Sequence, residues 1–488
     1  MNTASSPPPA PSALPRVLGW FATTALVVGT VIGSGVFKKP QAIAAALTDS
    51  SGQTYSGIAA LVWVAGGLVV LLGALAYAEI AALFPRAGGN YVFLYEGYGR
   101  LAGFLWGWVE FWIIRAGSLA ALATIFTESF RDVLVSYGLH VGFWSQRGIT
   151  VSVLVVLAAV NIRGVRWGSG LQVVITAVKV ASLLGIAILP WLLLGRTEPL
   201  PEAQLPDPAN REPIWPDTWR MVSLGGLGAA MLAVQWPYHG WMNIAPIAGE
   251  VKHPQRNIPI ALLLGVAIII ALYLGASSAY YLAMTGAEMR EFKDTPVATV
   301  FAERLLGPVG GVLLSAAIMC SVFGALNGNL LVGPRLLYAM GEDGLAPRWL
   351  RDIHPRYETP ANAIAVLAGW ACLLVLGVAV MTGTGALAEG KSHFDILTDF
   401  AMFGAVVFET LAVLTIFVFR RRLPDAERPY RCPGYPVVPI LYAVLPVFVL
   451  VNMFIKDKLA EALEPLVGVA FIATGALVYW GLGLGKKE

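Results

Sequence analysis

The sequence predicts an all-α polytopic membrane protein of twelve transmembrane helices. Three observations carry this. Hydrophobic residues fill 57% of the 488 positions and charged residues only 13%, with a mean hydropathy of +0.70; an ordinary soluble domain carries about a quarter charged residues. The apolar residues gather into runs of about 20, the length a helix needs to cross a bilayer. The basic residues are moderately in excess in alternate connections between those runs, which are also the less acidic ones, as the positive-inside rule favours.

The runs lie near 17–45, 57–83, 101–129, 148–162, 169–195, 219–248, 258–284, 308–340, 361–382, 393–420, 434–455 and 463–484. The fourth is short and the eighth long. With the N-terminus inside, the inner connections hold Arg86 and Arg100, Arg163 and Arg166, Lys252 and Arg256, and Arg348, Arg351 and Arg356. They also hold Arg420, Arg421, Arg422, Arg428 and Arg431, and the tail holds Lys486 and Lys487. The outer segments mix their basic residues with acids, as in RTEPLPEAQLPDPANREPIWPD. Both termini are therefore expected in the cytoplasm, with the chain passing many times through the cell (plasma or inner) membrane.

No hydrophilic stretch is long enough for a soluble domain. Residues 1–16, polar and Pro-rich, read as a disordered cytoplasmic tail and not as a cleaved signal. Cys320 and Cys372 fall in apolar runs and Cys432 in a basic loop. That spacing gives no disulfide framework and no metal site. A net charge of +3 gives no reason to expect a nucleic-acid partner, and no motif implies a cofactor. WGSGL at 167–171 has a serine between glycines, but it reads as a short loop between spans, not as a nucleophile elbow.

Two runs are irregular at matching places. Span 1 contains GTVIGSGVF at 29–37, with Gly29, Gly33, Ser34 and Gly35 in mid-membrane. Span 6 contains QWPYHGW at 235–241, with Pro237 and Gly240. Proline removes a backbone donor and glycine permits angles that a helix forbids. Spans 1 and 6 open two five-span units, 17–195 and 219–420, followed by helices 11 and 12 at 434–484. Interrupted segments at corresponding positions of two halves mark the midplane site of an inverted-repeat transporter. Irregular backbone is tolerated at that depth only where it lines a cavity. There the freed N–H groups can bind a carboxylate and the freed C=O groups an ammonium, aided by the half-helix dipoles. A zwitterionic amino acid offers both groups. The competing reading is that these glycines serve close helix packing.

The ordered set of motifs resembles the amino acid–polyamine–organocation superfamily of transporters, most closely its L-type amino acid transporter family. Besides the two breaks, the resemblance rests on YAEIAALFPRAGGNYVFL at 77–94, WVEFWIIRAGS at 108–118 and GVRWGSGLQVVITAVK at 164–179. It continues through GEVKHPQRNIPIAL after span 6, FGALNGNLLVGPRLLYAMGEDGLAP at 323–347, HPRYETPANA at 354–363 and RPYRCPGYPVVP at 428–439. The resemblance implies five-plus-five inverted repeats like those of the bacterial leucine transporter, with helices 1 and 6 discontinuous. It implies that Ile32, Gly33, Ser34 and Gly35 hold the substrate carboxylate, and that span 6 around Trp236, Pro237 and His239 holds the amino group. Trp236 falls where the family keeps an aromatic gate.

The resemblance also implies that Lys179, the span-5 lysine, places its ammonium where sodium-coupled relatives of this fold hold a cation between spans 1 and 8. If burial lowers its proton affinity, it could carry a coupling proton instead. The chain departs from the family at Pro237 (usually a small residue), at His239 (often Gly, Ser or Asp) and at Met242, where human L-type members carry asparagine. These positions flank the side-chain pocket. Human members also use a cysteine after span 3 to join a helper subunit; the loop near 130–147 has none, so no disulfide-linked heavy subunit is expected.

Other polar residues in the runs are read one by one. Glu110 and Arg115 are five apart, which on an α-helix separates their faces, so each is expected to have its own partner and a structural role. Glu79 belongs near the cytoplasmic gate. His239 could sense protons in the pocket. Asn327, flanked by Gly324 and Gly328, is expected to line the pocket. No motif assigns Glu409. The resulting expectation is a secondary transporter of small neutral L-amino acids, not an enzyme, working by alternating access as a sodium-independent exchanger, with its amino acid substrate and membrane lipid as partners. The alternatives are a proton-coupled symporter using Lys179 and a transporter-like sensor.

Overall fold

Span 1 folds as two helices, α1 (Trp20–Val31) and α2 (Gly35–Ala46), with the chain extended at Ile32 and bent at Gly33 and Ser34. The computed structural model describes residues 16–218, 223–292, 295–383, 393–454 and 459–485. Span 2 is α3 (Ser56–Leu83), and α4 (Asn90–Tyr98) lies along the connection that follows. Span 3 is one long rod: α5 (Arg100–Val109), a π-helical turn over Glu110–Arg115, and α6 (Ala116–Ser136). Spans 4 and 5 are α7 (Phe143–Ile162) and α8 (Val165–Leu193). The fourth run is thus a full 20-residue helix; its first turn, FWSQR, was too polar to be counted from hydropathy. The expected loop at WGSGL is instead the first turns of α8, because two glycines in a short connection do not suffice to end a helix.

Span 6 is broken as well. The α9 helix (Leu224–Tyr238) stops at His239, Gly240 takes φ +99, and Trp241–Glu250 continues as a 3₁₀ segment. Beyond it come α10 (Pro254–Ala283), α11 (Gly286–Met289), α12 (Val297–Leu306), α13 (Pro308–Val332) and α14 (Pro334–Glu342). The long eighth run is therefore α13 and α14, joined through Gly333. The last four helices are α15 (Ala361–Gly383), α16 (His393–Arg422), α17 (Val437–Phe454) and α18 (Leu459–Gly481).

Among the described residues, eight helical segments are long and apolar enough to cross a membrane, and 437–451 and 466–481 form shorter apolar helices. Span 6 falls short because its break splits the apolar stretch. There is no strand among the described residues, only a parallel bridge between Leu18 and Val251. There the amides of Val17 and Leu18 donate to the Glu250 carbonyl, and the amide of Lys252 to that of Leu18. The chain just ahead of α1 is thereby tied to the chain just after span 6.

Helices five spans apart pack together: α2 on α9, α3 on α10, α6 on α13 and α7 on α15. Broken backbone at depth leaves carbonyls to satisfy, and α10 supplies donors. The Tyr273 hydroxyl donates to Val31 O at 3.2 Å and to Pro237 O at 3.0 Å, one carbonyl from each break. Tyr280 donates to Val36 O at 3.2 Å. Trp63, Tyr238 and Tyr273 pack edge-on or tilted around this point, with centroids 5.2–6.0 Å apart.

Candidate functional site

The two breaks meet. A Cβ on Gly35 would lie 2.5 Å from Pro237 Cα, so only glycine lets α2 reach span 6 this closely. Gly240 is in the left-handed region, where an L side chain is strained, and its added Cβ would sit 3.3 Å from Thr30 O. Gly29 behaves differently. Its open side is filled by Thr176 and Gln172 of α8, so it serves close packing and does not line the cavity.

Between the breaks lies a cavity of about 30 Å³, room for a water or two. Span 1 contributes Thr30, Gly33, Ser34 and Gly35, and span 6 contributes Trp236, His239, Gly240 and Asn243. Ser118 and Leu122 of α6 and Ala325 and Asn329 of α13 close it. The hydroxyls of Ser34 and Ser118 are buried and have no hydrogen-bond partner among the described residues. Gly35, the first residue of α2, lines the same space, and the first amides of a helix have no acceptor within it. Two spare hydroxyls beside a helix N-terminus are donors of the kind a carboxylate accepts from. The Trp236 and His239 rings stack with centroids 6.3 Å apart and form the aromatic wall. A cavity of about 30 Å³ is too small for an amino acid.

Behind the cavity, Lys179 is fully buried, and its ammonium donates to Gly29 O and Ile32 O at 2.6 Å each. Both carbonyls belong to the broken end of α1. Ser321 of α13 donates to Ile32 O and Gly33 O at 3.4 and 3.3 Å. The Lys179 nitrogen thus stands on the freed carbonyls between spans 1, 5 and 8. Beside the cavity, Arg115 binds Glu110 through Nε at 2.8 Å and reaches Asn243 Oδ1 at 3.0 Å and Asn329 Oδ1 at 2.5 Å.

The profile of the amino acid permease family matches residues 18–481, nearly the whole chain. This chain belongs to the amino acid permease family. It is similar to the serine/threonine exchanger SteT of Bacillus subtilis (strain 168), with 31% identity over 471 residues that cover 96% of this chain and 97% of that one. It is similar to the Asc-type amino acid transporter 1 of Mus musculus at 28% identity, covering 96% of this chain and 81% of the other. The b(0,+)-type amino acid transporter 1 of Homo sapiens is 27% identical over 486 residues, covering 98% and 90%. These relatives are transporters, and the family is not one of enzymes.

The permease brings Gly33, Ser34, Gly35, Trp236 and His239 to one cavity. Ile32 and Pro237 stand behind it: Ile32 O faces Lys179, and Pro237 packs on Gly35. Asn327 corrects the expectation that it lines the pocket. It accepts from Asn161 at 3.0 Å and donates to Gln172 at 3.1 Å, away from the cavity. Asn329, two residues on and so some 200° around the helix, faces the cavity instead. Glu110 and Arg115 are a second correction. A π turn closes i→i+5 bonds, so residues five apart lie one above the other and pair directly. Sequence spacing alone cannot announce a π turn. Ser118, Asn243 and Asn329 also went unrecognised; their signal was only a small polar residue amid apolar neighbours. Among the described residues no cluster of His, Cys, Asp or Glu could hold a metal.

Proposed function

We propose that this permease exchanges small neutral L-amino acids across the cytoplasmic membrane by alternating access, without sodium. The observation that carries the reading is the joint geometry of the two breaks. Gly33, Gly35 and the unpartnered Ser34 hydroxyl line a cavity, while a buried lysine occupies the carbonyls behind it. A fixed ammonium on those carbonyls leaves no vacancy for a coupling cation. The pairing of helices five spans apart supports two inverted repeats, 17–195 and 219–420, within a twelve-span chain with cytoplasmic termini. The name of the serine/threonine exchanger among the relatives supports both exchange and a small side chain.

In the proposed cycle, Gly33, Ser34 and Gly35 hold the carboxylate, and the carbonyls around Trp236–His239 hold the amine. Trp236 closes over the substrate. No disulfide-linked subunit is expected, because the turn between α6 and α7 contains no cysteine. The test is uptake of labelled L-serine into proteoliposomes without sodium, with and without unlabelled serine inside. Exchange predicts uptake only into loaded vesicles. Equal uptake into empty vesicles, growing with an inward proton gradient, would replace exchange by symport.

A further inference from the structure

A second small cavity, about 20 Å³, lies beside the first on the predicted inner side. Asn243 lines both. The second is otherwise polar in an unusual way for membrane depth: Glu110, Arg115 and Glu409 all face it. Glu409 of α16 shares a hydrogen bond of 3.0 Å with Nε2 of His239, which lines the substrate cavity. The pair therefore bridges the two spaces, joining the broken span 6 to α16. Both side chains are largely buried, 13% and 15% exposed.

The charges around the pair are few and can be assigned. From the π turn, Glu110 and Arg115 face it and neutralise each other. From α3 and α17, the hydroxyls of Tyr77 and Tyr442 face Glu409 and carry no charge at neutral pH. The cluster is then neutral only when His239 and Glu409 together hold one proton. Without it, one net negative charge is buried between two cavities too small to hydrate it, which is costly. An open cavity on either side admits water and removes that cost.

We propose that the His239–Glu409 pair is a proton-binding site of the transport cycle, and that the carrier closes only when this pair holds one proton. The proton comes from water on the open side and returns to water when the other side opens. In one-for-one exchange it travels with substrate in both directions, so it sets the rate without driving net flow. This assigns the pH dependence to span 6 and α16 and leaves Lys179 as a fixed cation. The inference rests on the transport reading.

The test is serine exchange in proteoliposomes at equal pH on both sides, from pH 5.5 to 8.5. Wild-type exchange is expected to fall on the alkaline side, approaching about tenfold per pH unit as a one-proton requirement dictates. Glu409→Gln makes the cluster neutral without a proton, so its profile is expected to be flat within about twofold. His239→Asn keeps the carboxylate and moves the profile toward acid. Glu409→Gln retaining the wild-type alkaline fall, or a flat wild type, overturns the proposal. Should wild type bind serine but not exchange it at any pH, the transport reading fails and the proton step is read by calorimetry. Wild type then takes up about one proton per serine bound and Glu409→Gln none; no uptake by wild type overturns the proton site.

Discussion

At the scale of single residues, Lys179 has the clearest consequence. Its ammonium is the donor to Gly29 O and Ile32 O, at the point where α1 ends. Lys179→Ala leaves two buried carbonyls without their cation. The expected outcome is serine exchange lowered at least tenfold, about 1.4 kcal/mol in the limiting barrier, with protein that still binds detergent-stable ligand weakly. Exchange that stays within twofold of wild type would remove Lys179 from the mechanism. This residue was legible in sequence as a lysine inside an apolar run. Glu409 was equally visible, but its partner was not, since 170 residues separate it from His239. Asp49, in the turn after α2, sets a different limit. Hydrogen bonds from the Ser51 and Tyr55 hydroxyls hold its carboxyl at about 2. A depressed carboxylate stabilises above its unfolded value and loses that contribution only as pH falls from about 3.9 toward 2. The turn is therefore expected to be indifferent to pH between 5.5 and 8.5. Asp49→Asn should leave the pH profile of exchange unmoved, which separates it from the Glu409 variant.

At the scale of elements, the apolar runs were legible because bilayer thickness dictates their length, and the two breaks because glycines, with a proline in span 6, interrupt helical runs at corresponding places of two halves. The π turn was not legible, and it decides which residues of span 3 point inward. Its extra residue aligns Arg115 with Glu110, and the same guanidinium holds Asn243 and Asn329 on the cavity wall. The break in span 6 yields a prediction about stability. Gly240→Ala places a side chain at φ +99 and within 3.1 Å of Asn243 Nδ2. The cost is expected to be about 1–2 kcal/mol, read as a lower Tm in detergent, together with loss of serine exchange. Gly185→Ala is the control. It lies inside α8 with nothing within 4 Å of the added Cβ, and should stabilise by roughly 0.5–1 kcal/mol. Equal effects from both variants would show that the break at Gly240 is not strained.

At the scale of the whole molecule, the proposed cycle needs one face to open while the other stays shut, and on the side expected to be inner a staple of contacts centres on Glu79. This buried carboxylate of α3 accepts from Arg420 at 2.9 and 2.7 Å and from the Cys432 amide at 2.7 Å, with Arg428 3.2 Å away. It joins span 2 to the end of span 10 and the loop beyond. Cys432, whose amide donates to Glu79, is placed to report on an opening there. It is buried, and burial together with the neighbouring Glu79 pushes its thiol up to about 11, so at pH 7 it is protonated and unreactive. Arg420→Gln separates two effects that would otherwise coincide. Arg420 favours the thiolate, so its loss alone makes alkylation slower. If the staple holds the inner face shut, its loss opens that face and makes alkylation faster. With Cys320 and Cys372 replaced by serine, maleimide labelling of Cys432 is expected to accelerate at least fivefold in Arg420→Gln, roughly 1 kcal/mol in the opening equilibrium. Slower labelling than in the parent would mean that the inner face is held elsewhere. The buried pair of Arg335 and Glu250, 3.0 Å apart between α14 and the end of span 6, would then be the next place to cut.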